Sequence, residues 1–367
     1  MRRPTMAVTA CLLLLTVTTA TVSSPKFRII EQQRLASPLF VSKFRGGAVV
    51  VPKTKKSPQQ QQHQQQQQLV GATIPNEIFN LVKGIVGAGV LGLPAGIAAF
   101  GNAPGALVPA TLLILGIGIL SMYGFALIGR VCAYTNSTSY REAWSKAVSP
   151  NTAWMPATAC LLVPSCATVA YSMILSDTLP QLASAFLGVT ITRTQALLGV
   201  TMLALLPLCS LKDLSKLAPF SLLGISGMIY TALAMAIRYF QKSYNVPDGK
   251  FLPLIQAQPS FGTKTSIWDP NSFLFISMLS TAFMAHYNAP KFYHELRNKT
   301  LPRYYTVVST SFGISMLIFV AVASLGFLTF GESAKGLVLH NYATQDGLMS
   351  VSRIAVALSI LFSYVDF

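Results

Sequence analysis

The stretch that decides the fold is Asn80-Leu81-Val82-Lys83-Gly84-Ile85-Val86-Gly87-Ala88-Gly89-Val90-Leu91-Gly92-Leu93-Pro94. Residues 87–92 match G-x-G-x-x-G to the letter. No strand pattern precedes them and no acid follows until Glu142, so a dinucleotide-binding turn is excluded by context. Two readings of the glycines remain. Gly84, Ala88 and Gly92 recur every four residues and form a small-residue face for close helix packing. Alternatively, Gly87 and Gly89, with Pro94 beyond them, let a helix unwind inside a membrane. Such a break exposes carbonyls that hold a cation and a helix N-terminus that holds a carboxylate.

The surroundings are membrane-like. The chain has 367 residues, 52% hydrophobic and 10% charged, with mean hydropathy +0.53. Soluble domains carry roughly 25% charged residues. Apolar runs of about 20 residues, each long enough to cross a bilayer as a helix, recur outward from the quoted stretch. About eight are predicted, near 76–99, 104–129, 155–178, 194–211, 217–240, 271–293, 304–330 and 350–367. The expected class is an all-α polytopic membrane protein. Arg130, Arg141 and Lys146 follow the second span, Lys212 and Lys216 the fourth, and Lys291, Arg297, Lys299 and Arg303 the sixth. By the positive-inside rule, the tail and the loops after even-numbered spans face the cytosol or its equivalent.

The net charge of +16 is concentrated at the front, where the first 75 residues hold ten bases and one acid, Glu31. No basic stripe interleaved with aromatics exists, so nucleic acid is not expected as a partner. Residues 1–24 read as a signal peptide, with Arg2 and Arg3 before a short apolar run at 7–22. Residues 25–75 form a basic, glutamine-rich tail with transit-peptide composition, expected to be disordered across its glutamine tract at 59–68. A cleaved signal would place this tail in the lumen, against the loop charges. A bipartite leader that delivers the chain to an organelle such as a plastid resolves the conflict. Residues 76–367 form the expected transmembrane domain.

The sixth span is the counterpart of the first. It runs Ser280-Thr281-Ala282-Phe283-Met284-Ala285-His286-Tyr287-Asn288-Ala289-Pro290 and ends near Glu295. An ionisable residue inside a span points to function, although a histidine near a helix end also serves as a hydrogen-bonded structural residue. Paired irregularities in corresponding spans of two repeats mark a substrate site. Asp177 is expected to be interfacial or capping, and Cys132 to lie in a loop. The five cysteines form no C-x-x-C pair, and neither H-E-x-x-H nor facing carboxylates are present, so no metal site and no enzyme is expected.

In these residues the chain resembles the amino acid/auxin permease family. The resemblance rests on Asn80 to Pro94, PLCSLKDLSKLAPF at 207–220, HYNAPKFYHEL at 286–296, GFLTFGE at 326–332 and RIAVALSILFSY at 353–364. The branches it most resembles are the vacuolar and the system A/N-type neutral amino acid transporters. Membership implies a LeuT-like inverted-repeat fold of about eleven helices, about eight of them present here, and secondary active transport of neutral or small amino acids coupled to H+ or Na+. Transport of a related amine or auxin-like acid, or amino acid sensing without transport, is the alternative. The resemblance assigns substrate binding to Gly87, Ala88, Gly89, Ser280, Thr281 and Phe283. It assigns ion coupling to Gly84, Ser359, Ser363 and His286. It implies no cofactor beyond Na+ as one candidate coupling ion. The expected partners are a small-molecule amino acid and the lipid bilayer, with an endomembrane (vacuolar) or plastid-envelope location preferred over the plasma membrane. The family continues through three more helices after the last motif, so a chain ending at Phe367 is expected to transport nothing alone.

The loop assignment is testable at the sequons Asn136 and Asn298, which fall on the cytosolic side. Both should stay unmodified when the protein is expressed in eukaryotic membranes, with no mobility shift on endoglycosidase treatment. A shift that disappears on Asn298→Gln or Asn136→Gln would invert the topology.

Overall fold

The structure, a computed structural model, describes residues 71–209, 218–255, 257–264 and 270–365. The leader at 1–24, the tail as far as residue 70, Lys212 and Lys216 within the fourth loop, and the last two residues lie outside them. Among the described residues the chain is helical, with two isolated backbone bridges and no strand.

The quoted stretch does break. Helix α1 (Ile74–Ile85) stops at Val86, Gly87 is extended, a 3-10 turn covers Ala88–Gly92, and α2 (Leu93–Phe100) resumes with Pro94 in its first turn. The two halves are bent by 42°. Proline fits there because its missing N–H is one that a helix start leaves unbonded anyway. A Cβ on Gly84 would meet nothing within 4 Å, so the small-residue face does not explain that glycine.

Then follow α3 (Leu107–Thr135), the short α4 (Tyr140–Ala147), α5 (Trp154–Leu187) and α6 (Arg193–Val200). Helix α3 runs six residues past the expected end of the second span, so Cys132 is a buried helical residue rather than a loop one. Helix α5 likewise runs nine residues past the expected end of the third span at 178, so Asp177 lies within the helix rather than at a cap, and it pairs with Arg193 across the α5–α6 turn. At α4, Ser139 caps the helix by accepting from the Glu142 N–H. The Glu142 carboxylate bonds Lys146 and the Thr138 N–H, which pulls its pKa down to about 2.

The stretch expected as the fourth span holds α6, a π-turn at Thr201–Leu205 and α7 (Leu206–Cys209), and the stretch expected as the fifth holds α8 (Ala218–Phe240). The sixth breaks as the first does. Helix α9 (Ser272–Ala282) ends, Phe283 to Ala285 leave helical geometry, a 3-10 turn covers His286–Asn288, and α10 (Ala289–Glu295) follows. Helices α11 (Leu301–Phe330) and α12 (Gly347–Val365) complete the described chain. Among the described residues, three helices are long and apolar enough to cross a membrane, and a fourth if the bent α1–α2 pair counts as one span. Val108, Leu112, Leu161, Val169 and Leu317 stand exposed on them. Such surface is a liability in water and the natural outer surface in lipid.

Helix α11 is the hub, packing on α1, α2, α3 and α8, while α8 and α12 form the other close pair. Its contact with the first span is so tight that a Cβ on Gly326 would lie 2.4 Å from Pro94 Cγ. At one end of α11, the Ala72 N–H donates to the Glu295 carbonyl (2.8 Å) and the Arg297 N–H to the Ala72 carbonyl (2.9 Å). At the other, Gly331 has φ +58 and approaches Ser260 so closely that a Cβ would lie 2.0 Å from its carbonyl oxygen.

Near that second end sits a buried polar cluster. Arg238 grips Asp346 with two bonds, Nη2 to Oδ1 at 2.6 Å and Nε to Oδ2 at 2.8 Å, and the Tyr244 hydroxyl donates to Oδ2 at 2.9 Å. Burial, and then the Asp346 charge, push the Tyr244 phenol up, so it stays a donor.

Two alanine substitutions on one helix test the hub. Gly326→Ala should cost about 1–3 kcal/mol because a rigid proline ring must move. Gly313→Ala, where a Cβ would meet nothing within 4 Å, should be neutral or stabilise by up to about 1 kcal/mol. Thermal unfolding in detergent reads both. Equal effects would remove α11 from the centre of the packing.

Candidate substrate site

The two helix breaks face each other. A Cβ on Gly89 would lie 3.9 Å from the Ala282 Cα, at the end of α9. Gly89 and Thr281 are exposed, and Ser280 is half-buried. Ala88 and Gly89 open the 3-10 turn, so their N–H groups have no acceptor inside it, as at any helix start. Helix α9 stops on the other side with its terminal carbonyls at the break. The arrangement juxtaposes donors from one broken helix with acceptors from another, and this pair of opposite dipoles suits a zwitterion.

The other expected residues divide into two groups. Gly87, Ala88, Gly89, Ser280 and Thr281 lie on the two breaks. The Thr281 hydroxyl donates to the Ser277 carbonyl (2.9 Å), the ordinary back-bond of a helical threonine. Phe283, although at the break, is fully buried, with ring centroids 4.5 Å from Phe319 and 6.4 Å from Phe312 of α11. In this arrangement its ring is part of the wall behind the break.

His286 is buried, and its Nε2 lies 3.0 Å from the Ser121 carbonyl of α3, to which it donates. That bond satisfies a backbone acceptor and ties the second break to α3. Ser359 is buried in α12 with its hydroxyl oxygen 2.9 Å from where a Cβ on Gly224 would stand, so its neighbour is α8. Ser363 is half-buried one turn later.

Sequence reasoning missed Tyr171. Its hydroxyl comes from α5 to within 3.1 Å of a Cβ placed on Gly87 and brings a third helix to the first break. The available signal was a tyrosine–serine pair, Tyr171-Ser172, in the middle of an apolar span. Among the described residues no group of three or more His, Cys, Asp or Glu side chains is arranged to hold a metal.

A membrane-type helical bundle with two opposed helix breaks is the class of protein that these observations define. Residues 71–365 match the model of the transmembrane amino acid transporter protein family, and the chain belongs to that family. It is 24% identical over 295 residues to the Rattus norvegicus protein named "Putative sodium-coupled neutral amino acid transporter 11", covering 78% of this chain and 61% of that one. It is 25% identical over 293 residues to amino acid transporter AVT6E of Arabidopsis thaliana, covering 77% and 58%. To vacuolar amino acid transporter 6 of Saccharomyces cerevisiae it is 22% identical over 301 residues, covering 80% and 63%. The chain thus spans about three fifths of the length of the curated relatives it matches.

Proposed function

We propose that this chain forms the substrate-binding part of a secondary active transporter for neutral or small amino acids, driven by H+ or Na+ and built as a LeuT-like inverted repeat. The observation that carries the reading is the opposition of the two breaks, with Gly89 against Ala282. The N–H groups of Ala88 and Gly89 bind the amino acid's carboxylate, and Tyr171 closes that side. The carbonyls at the end of α9, with Ser280 and Thr281, receive the ammonium group. Small residues at 87–89 leave the backbone open to approach, as a ligand bound by main chain requires. Where Na+ is the driving ion, carbonyls of the first span from Gly84 onward and a hydroxyl of α12, Ser359 or Ser363, supply oxygen ligands. His286 contributes through the position it gives the second break.

Family membership and the names of the relatives support transport over enzymatic chemistry. The yeast relative's name, a vacuolar amino acid transporter, also supports an endomembrane location.

Equilibrium binding of labelled neutral amino acids to the protein in proteoliposomes is the direct test, because it needs no completed transport cycle. Gly89→Ala should retain affinity within about threefold, since its Cβ finds ordinary contact distance. Gly89→Leu should lose affinity by a hundredfold or so, roughly the cost of a blocked subsite. Uptake under separately imposed proton and sodium gradients then names the ion. Binding without flux under either gradient, in a chain that carries the family's remaining helices, assigns the protein to sensing. No binding across an amino acid panel would sink the substrate claim.

A further inference from the structure

Glu77 lies in the first turn of α1, three turns before the break at Gly87, and the transport reading leaves it without a task. Its residue exposure is 1%, and neither carboxyl oxygen has a hydrogen-bond partner among the described residues. The surroundings explain the burial. Ser311 of α11 donates to the neighbouring Ile78 carbonyl (3.3 Å), and Ala72 is bonded to the Glu295–Arg297 segment just before the helix begins. Within the described residues, the titratable groups facing Glu77 are Lys291 and Glu295 of α10 and Tyr304 of α11. Lys291 and Glu295 are exposed, and neither is bonded to it; Tyr304 directs its hydroxyl to the Phe125 carbonyl. The described titratable groups of α8 lie elsewhere: Arg238 on Asp346, Tyr230 on the Leu348 carbonyl, and Tyr239 beside Phe240.

An ionised carboxylate removed from water and given no donor is among the costliest groups a fold can bury, and a neutral acid is far less so. We propose that Glu77 is a proton-binding site that latches the foot of α1. The packed arrangement accepts the carboxyl as the neutral acid. Release of Ala72 from the α10 end hydrates it, and its proton then passes to water from one carboxyl oxygen, with no other bond made or broken. Protonation therefore favours the packed foot and deprotonation the open one, so the latch is set at low pH and released as pH rises. A proton taken up on one side and released on the other is what coupling requires. That use of the latch rests on the transport reading, whereas the latch itself does not.

Two measurements on the whole chain in lipid decide it. Infrared difference spectra between about pH 5 and about pH 9 should show a protonated-carboxyl band that is absent from Glu77→Gln and moved in Glu77→Asp. Amide exchange of residues 72–85, compared between wild type and Glu77→Gln at matched pH, should diverge as pH rises. Wild type should lose roughly tenfold in protection while the glutamine variant stays packed. An ionised Glu77 throughout that range, or the same exchange profile in both proteins, overturns the proposal. Amino acid binding measured on the same preparations keeps the two readings apart. Its loss with the infrared band intact removes the transporter and leaves the latch. Binding intact with no band removes the latch alone.

Discussion

Breaking a helix inside a bilayer frees backbone N–H and carbonyl groups that lipid cannot satisfy, so irregular backbone survives at that depth only where protein shields it or a cavity hydrates it. Here two breaks have to be accommodated, and an unbroken helix does most of the shielding. Helix α11 packs against both halves of the first span, and its Phe312 and Phe319 rings pack on Phe283 at the second break. The approach is close because Gly326 presents no side chain to Pro94. The proline that starts α2 and the glycine that receives it are more than two hundred residues apart, and together they allow the first span to bend without opening to lipid.

The far end of α11 is held by charge rather than by apolar packing. Asp346 is fully buried, yet it receives both arms of Arg238, the Tyr244 hydroxyl and the N–H of Leu348 at the start of α12. Arg353, also buried, donates to the carbonyls of Leu339 and Tyr342 in the loop before that helix. Buried pairs of this kind add little net stability, because desolvation offsets most of the attraction, but removing one partner leaves an expensive orphan. They specify position. The contrast with Glu77 follows from the same physics: donors surround the buried Asp346, and among the described residues Glu77 has none.

Much of this was legible along the chain. The glycine run and Pro94 indicated a weak point in the first span, and the small and hydroxyl residues before His286 indicated a second. Alternating loop charge and apolar length outlined the helices. What was not legible had specific causes. Apolar periodicity ends where lipid ends, not where the helix does, so α3 carried Cys132 beyond the expected boundary and α5 ran on to Leu187 past an expected end at 178. Tyr171 went unnoticed because one hydroxyl in an apolar run is silent until its neighbour across the bundle is known. Glu77 resembled an ordinary acid in the first turn of a helix, where the helix dipole favours negative charge.

The sequence by itself determined the class of protein and the places where helices could not continue, because hydrophobic length and the missing side chains of glycine are local properties. It left open whether this stretch serves packing, through Gly84, Ala88 and Gly92, or unwinding, through Gly87 and Gly89, since both readings draw on small residues interleaved along one helix. Only the tertiary structure decided that the first span breaks, that its break meets the end of α9, and that Phe283 and His286 turn toward the scaffold. These outcomes depend on which surfaces meet across hundreds of residues. Burial, which surrounds Asp346 with donors and leaves Glu77 without one among the described residues, arises only from those meetings.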